Sequence, residues 1–161
     1  MMSIIKIGTT FTWNQKSYEV NGRTLFFGEN SYMMLWLAVS EYDHVYLYES
    51  NQDYAVIDTV DTKGLAQSFK SKTVSSSLQL NDKKFYVEYL DKITEIYGEG
   101  EIYDHNIEPS KTIVLRLGTL QQEMVLAFVL DKHNATLLKG IYTSPEELKF
   151  TSTRTADVWN I

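Results

Sequence analysis

The residues with the most chemical potential in this chain are Glu99, Glu101, Asp104, His105 and Glu108. Carboxylates and an imidazole this close together could hold a hard cation or a divalent transition metal. Two of the carboxylates could also share acid–base work. The spacing argues against both. A calcium loop needs oxygen-bearing side chains at alternate positions ahead of a glycine, and that order is missing. The stretch therefore reads as a solvated acidic loop. No metal is assigned to it, and no cofactor is expected.

Other catalytic constellations fare no better. His44 and His133 each fall in an expected turn, with nothing in their spacing to bring them together. The Gly-x-Ser-x-Gly elbow of a serine hydrolase is missing. Gly98-Glu99-Gly100 lacks the Gly and Lys of a phosphate loop, and its carboxylate would repel phosphate. No catalytic residue is assigned, and the chain reads as a non-enzyme.

The second candidate set is aromatic. Tyrosine and tryptophan are favoured in ligand pockets and at partner surfaces. Most of the aromatic residues here fall on expected strands, where core packing and cross-strand pairing account for them. Tyr46 and Tyr48 alternate with Val45 and Leu47, so one aromatic face is expected to point outward. With Trp36 and the terminal Trp159 they form the expected partner or ligand surface.

The bulk composition narrows the function classes. The chain has 161 residues, suited to a single domain with a sizeable core. It contains no cysteine, which excludes disulfides and thiolate metal sites. Its net charge is −6, with both halves acidic and no basic cluster, so nucleic-acid binding is not expected. No apolar run approaches membrane-spanning length, and no charged start precedes a long apolar run at the N-terminus. A cytoplasmic location without a transmembrane segment is expected. Aromatic residues make up 13% of the chain and proline contributes only two residues, a composition that favours sheet over disorder.

The elements that must position these residues begin with a repeat. Phe11-Thr12-Trp13-Asn14-Gln15-Lys16-Ser17-Tyr18-Glu19-Val20 recurs as Leu78-Gln79-Leu80-Asn81-Asp82-Lys83-Lys84-Phe85-Tyr86-Val87. Each copy reads as strand, polar turn, strand. Internal halves at 7–60 and 74–150 are expected, with a polar join at Asp61 to Ser77 and a tail at 151–161. The join could hold one helical turn from Gly64 to Phe69. Within the first half, Asn21-Gly22 should interrupt a long strand as a bulge or a tight turn. Tyr32 to Val39 is continuously apolar and reads as a strand buried on both faces. In the second half, Lys83 to Leu90 and Ile93 to Tyr97 read as separate strands, followed by the acidic loop. Ser144-Pro145-Glu146-Glu147 carries the signature of a capped helix start, and the helix should end near Phe150.

The order of these motifs resembles that of a bacterial family known as domain of unknown function 4178. Gly8, Tyr18 and Val20 match its start. Tyr97-Gly98-Glu99-Gly100-Glu101-Ile102-Tyr103 matches its Gly-Glu segment, and Glu108-Pro109 its Pro-containing loop. Gly140-Ile141-Tyr142-Thr143-Ser144-Pro145-Glu146-Glu147-Leu148 matches its ending. The resemblance implies two β halves and no established activity. It also implies an accessory role near membrane-protein or membrane-stress systems.

The expected fold is all-β with one short C-terminal helix. Two related β halves pack as a sandwich or a partly closed barrel. The expected function is a non-enzymatic interaction module that binds a protein, with a small-ligand carrier of the lipocalin or avidin type as the alternative.

Overall fold

The computed structural model describes residues 3–61, 76–80, 82–103, 107–131 and 134–152. Its strands are β1 (Thr9–Trp13), β2 (Lys16–Gly28), β3 (Tyr32–Val39), β4 (His44–Ser50), β5 (Asp53–Asp61), β6 (Ser77–Leu80), β7 (Lys83–Gly100), β8 (Ile113–Gly118), β9 (Glu123–Val129) and β10 (Ala135–Thr143). Helix α1 (Pro145–Leu148) and the two-residue strand β11 (Thr151–Ser152) follow.

All the strands join one antiparallel sheet in the order β11-β1-β2-β3-β4-β5-β10-β9-β8-β7-β6, and β2 also pairs with β7. That second pairing closes β2-β3-β4-β5-β10-β9-β8-β7 into an eight-stranded barrel. Of the two expected architectures, the structure selects the barrel and closes it fully. Strands β1 and β6 are flaps outside the ring, each formed by the leading strand of a repeated hairpin.

Turn chemistry sets the registers. The β1–β2 turn has Asn14 at φ 51° and Gln15 at φ 64°, and the β4–β5 turn has Asn51 at φ 50° and Gln52 at φ 71°. Two central residues with positive φ define the tight hairpin turn whose twist suits paired strands, and asparagine tolerates that region. In the first hairpin Phe11 pairs with Tyr18 and Trp13 with Lys16. In the second, Leu78 pairs with Phe85 and Leu80 with Lys83. These are the positions that the sequence repeat superimposes. A bulge follows each hairpin at the equivalent place, between Val20 and Gly22 and between Val87 and Tyr89.

Alternation along the closed wall separates an interior from an outer layer. Phe26, Met33, Leu35, Tyr46, Tyr48, Ile57, Leu126, Phe128 and Leu138 belong to the interior cluster. Outside the first half, Met34, Trp36, Val45 and Leu47 are covered by Ile5, Phe11 and Leu148. Outside the second, Leu115, Leu117, Val125 and Leu137 pack with Leu80 and Phe85. Strand β3 is therefore buried on both faces, as its unbroken apolar run requires.

Two local expectations change. Strand β7 is a single strand of 18 residues, where polar Asp91-Lys92 suggested a break. Its first part pairs with β8 and its last part with β2, so the strand must run on to close the ring. Asp91 is buried yet well satisfied: its carboxylate accepts the N–H groups of Glu29, Asn30 and Lys92 and the hydroxyl of Ser31. Helix α1 stops at Leu148, with Lys149 in the left-handed region at φ 54°. Ser144 caps it by accepting the N–H of Glu147, while the Glu147 carboxylate accepts the Thr143 hydroxyl at 3.3 Å. Residues 62–75 of the join expected at Asp61 to Ser77, with the expected helical turn at Gly64 to Phe69, and residues 153–161 of the tail expected at 151–161 lie outside the described residues. Among the described residues no helix is long and apolar enough to cross a membrane.

Asp91 ties the β2–β3 turn to β7, and Gly28 makes room for it. A Cβ on residue 28 would stand 2.1 Å from the Asp91 carboxylate. Burial alone would raise the Asp91 pKa. The Ser31 hydroxyl and the N–H groups of Asn30, Lys92 and Glu29 together outweigh it and hold the carboxyl below its usual value. A carboxyl with a lowered folded pKa adds stability above its unfolded pKa and loses it as pH falls through the folded value. Asp91→Asn should therefore destabilise the fold by about 1–3 kcal/mol at neutral pH. The difference from the parent should shrink below about pH 4. Denaturant titrations of both proteins across pH 2–7 check this.

Candidate functional site

An eight-stranded barrel has an interior that either fills with its own side chains or holds one small ligand. The contents of the interior therefore bear directly on function. Two groups occupy it, one charged and one aromatic.

The charged group centres on Arg116 of β8. Its neighbours Leu115 and Leu117 point to the outer layer, so alternation turns Arg116 inward. Nη1 donates to the Tyr48 hydroxyl and to the Asp53 carboxylate, each at 3.1 Å. Nε lies 3.4 Å from the Glu88 carboxylate, an ion pair without hydrogen-bond alignment. The guanidinium also sits 5.4–5.9 Å from the ring centres of Tyr89, Tyr142 and Tyr48. The Tyr142 hydroxyl donates in turn to Glu88. Burial pushes the Tyr89 and Tyr142 phenols well above their usual range. For Tyr142 the hydrogen bond to Glu88 adds to the rise, and Arg116 opposes it in both.

Two carboxylates already balance the one cation, and three rings cover its faces. The cluster thus resembles a structural plug more than an anion receptor. Sequence reasoning reached Tyr48 and Tyr89 as candidate aromatics but missed Arg116, Glu88 and Tyr142. The available signal was Arg116 itself, a charge at an inward position of an otherwise apolar alternating strand.

The aromatic group centres on Tyr103, which is 1% exposed. Its ring centre lies 5.2 Å from that of Tyr46 and 5.8 Å from that of Phe128, and Phe128 continues to Phe26 at 5.5 Å. Arrangements of this kind suit the ring quadrupoles. A void of about 10 Å³ between Phe26, Met33, Tyr89, Ile93 and Val114 is no larger than one water needs.

The expected surface aromatics are corrected by these contacts. Tyr48 is 0% exposed and Tyr46 is 9% exposed, because the closing of the ring makes their face the barrel interior. Trp36 is 2% exposed on the opposite side of the wall. Its Nε1 donates to Glu49 at 3.1 Å, and Arg23 lies 5.6 Å from its ring centre. Glu49 is itself buried and also accepts the hydroxyls of Ser3 and Tyr54. Trp159 lies outside the described residues.

The described members of the acidic stretch do not converge. Glu99 is on β7 rather than in a loop, and its carboxylate pairs with Arg23 at 3.5 Å. Glu101 is exposed at the bend after β7. Glu108 pairs with Lys111 at 3.5 Å. Asp104 and His105 lie outside the described residues. Among the described residues no group of three or more acidic or histidine side chains could hold a metal ion. The glycines of this stretch have steric roles. A Cβ at Gly98 would stand 2.6 Å from the Ile102 side chain, and Gly100 adopts φ 69°.

Comparison with known proteins finds no matching family model, no matching curated protein and no matching solved structure.

Two measurements check this account. Arg116→Met should cost about 2–3 kcal/mol, since it leaves Glu88 and Asp53 without their cation and opens the tyrosine ring stack. Partial exposure of the acids keeps the loss below that of a fully buried pair. An equilibrium unfolding curve within 0.5 kcal/mol of the parent would show the cluster to be energetically idle. Separately, burial, and then the charge of Glu49, push the Tyr54 phenol up to about 12. Spectrophotometric titration should show one tyrosine ionising there, and Tyr54→Phe should remove that step.

Proposed function

We propose that this chain is a non-enzymatic protein-interaction module, a cytoplasmic accessory protein that engages its partner through the outer wall of the barrel. The observation that carries this reading is an apolar strip on β7 and β8. Leu90 is 51% exposed and Ile113 is 38% exposed. Leu90 stands opposite Leu115, and Ile113 pairs with Lys92 on one side and Val129 on the other. The two residues therefore share the outer face as diagonal neighbours. They continue the buried outer cluster of the second half to the surface. A groove of about 320 Å³ runs beside them, lined also by Lys92, Ser110 and Lys111. Apolar anchors flanked by polar rims are the usual anatomy of a protein contact.

Two further readings accompany the proposal. The matched hairpin registers and bulges support descent of the two halves from one duplicated unit. The link to membrane-protein or membrane-stress systems rests on motif order alone.

The test places a photocrosslinking amino acid at position 90 and, as a control on the first half, at position 19. A defined protein adduct is expected from position 90 alone. With that protein purified, Leu90→Asp combined with Ile113→Asp should weaken binding by roughly tenfold or more, because few desolvated anchors carry most of an interface. The melting temperature should barely move, since both side chains are exposed. Equal adducts from both positions, or unchanged affinity in the double variant, would rule this surface out.

A further inference from the structure

The flap formed by β6 and the start of β7 does not seal the wall beneath it. Its Leu80 and Phe85 pack with Leu117 and Val125 of the outer layer. At its tip, Lys83 reaches across to Glu123 of β9 at 2.7 Å. The first half has a matching flap, with an ion pair between Lys16 and Asp43 at 2.7 Å. There Trp13 pairs with Lys16 as Leu80 pairs with Lys83, and a leucine reaches less far than an indole. Under the second flap a pocket of about 110 Å³ remains, partly open to solvent.

The pocket combines an apolar floor with one uncompensated cation. Leu80, Phe85 and Val125 form the floor. Lys139 of β10 stands directly opposite Val125 in the ladder, so the two share the outer face. Its side chain is half-buried and lines the same pocket. Among the described residues its ammonium has no ion-pair or hydrogen-bond partner. Two acids lie diagonal to it across the neighbouring strands, Glu123 and Asp61. Glu123 is held by Lys83, and Asp61 does not line the pocket. The pairing of Lys83 with Glu123 therefore leaves a single positive charge beside apolar surface.

We propose that this pocket binds a small aliphatic monocarboxylate. The hydrocarbon body lies on Leu80, Phe85 and Val125, and the carboxylate meets the Lys139 ammonium. Apolar surface alone would take any small hydrocarbon, and a lysine alone any anion. The two together select a molecule that carries both features. An ammonium is a compact point charge, which suits a terminal carboxylate. At roughly 10–15 Å³ per water-sized position, the pocket holds about eight heavy atoms, the size of hexanoate. The inference is independent of the outer-wall protein contact, because Leu90 and Ile113 do not line this pocket.

The probe is hexanoate, titrated into the full chain and followed by its amide NMR resonances. Those of Leu80, Val125 and Lys139 should shift together and saturate with a Kd of about 1 mM, the strength open to a ligand of this size. Hexanol has the same body without the charge and should bind roughly tenfold more weakly. Lys139→Met keeps an unbranched side chain and removes the ammonium. It should weaken hexanoate binding roughly tenfold and leave hexanol binding unchanged. Its melting temperature should stay near that of the parent, since the side chain is only half-buried. No saturation at these amides up to about 20 mM hexanoate overturns the proposal. Equal affinity for hexanoate and hexanol does the same, and that comparison needs only the parent protein. Hexanoate affinity unchanged in the variant overturns it as well.

Discussion

The structure depends on the pairing of β2 with β7. Apart from the short β1–β11 pair outside the ring, every other strand pair joins chain neighbours or the two meanders at β5 and β10, and would leave an open sheet. The seam from Gly22–Gly100 to Gly28–Ile93 turns that sheet into a ring. It works because backbone comes very close there. A Cβ on Gly22 would stand 1.7 Å from the Glu101 carbonyl oxygen, and one on Gly28 would collide with Asp91. Closure removes the exposed edges that an open sheet would present. It also decides which face of each wall strand becomes interior.

Once the ring is closed, its polar content has to be satisfied internally, and three clusters do this. Arg116 sits among two carboxylates and three tyrosines inside the wall. Glu49 collects Trp36, Tyr54 and Ser3 outside it. Asp91 gathers three N–H groups and a hydroxyl where a turn meets the longest strand. Buried charge is tolerated when it is paired or well hydrogen-bonded: Arg116 has two carboxylates, and Glu49 and Asp91 each collect several donors. Arg116 and Asp91 each tie together elements about sixty residues apart, while Glu49 ties Ser3 near the N-terminus to β3, β4 and β5.

Much of the local structure was legible in the sequence. The Asn-Gln turns, the bulge at Asn21-Gly22, the doubly buried β3 and the capped start of α1 all follow from short-range chemistry. The reading failed where polarity was taken for a strand end. Asp91-Lys92 looked like a break because the partners of Asp91 come from a turn about sixty residues earlier in the chain. It also failed at Tyr46 and Tyr48. Their alternation with Val45 and Leu47 was correct, but alternation distinguishes two faces without saying which is outside. With a covered outer layer, both faces are buried. The described carboxylates of the acidic stretch lie apart from one another, while Tyr103 within it is buried in the interior.

The sequence by itself determined most element types and the likeness of the two hairpins, because turns, caps and alternation act over a few residues. It also settled the lack of thiol chemistry, since the chain has no cysteine. Only the tertiary structure decided that the sheet closes, that the central tyrosines face inward, that Arg116 gathers its partners and that Tyr103 fills the interior. Those outcomes depend on contacts between residues dozens of positions apart. A glycine that allows two backbones to touch looks the same in sequence as one that serves only a turn.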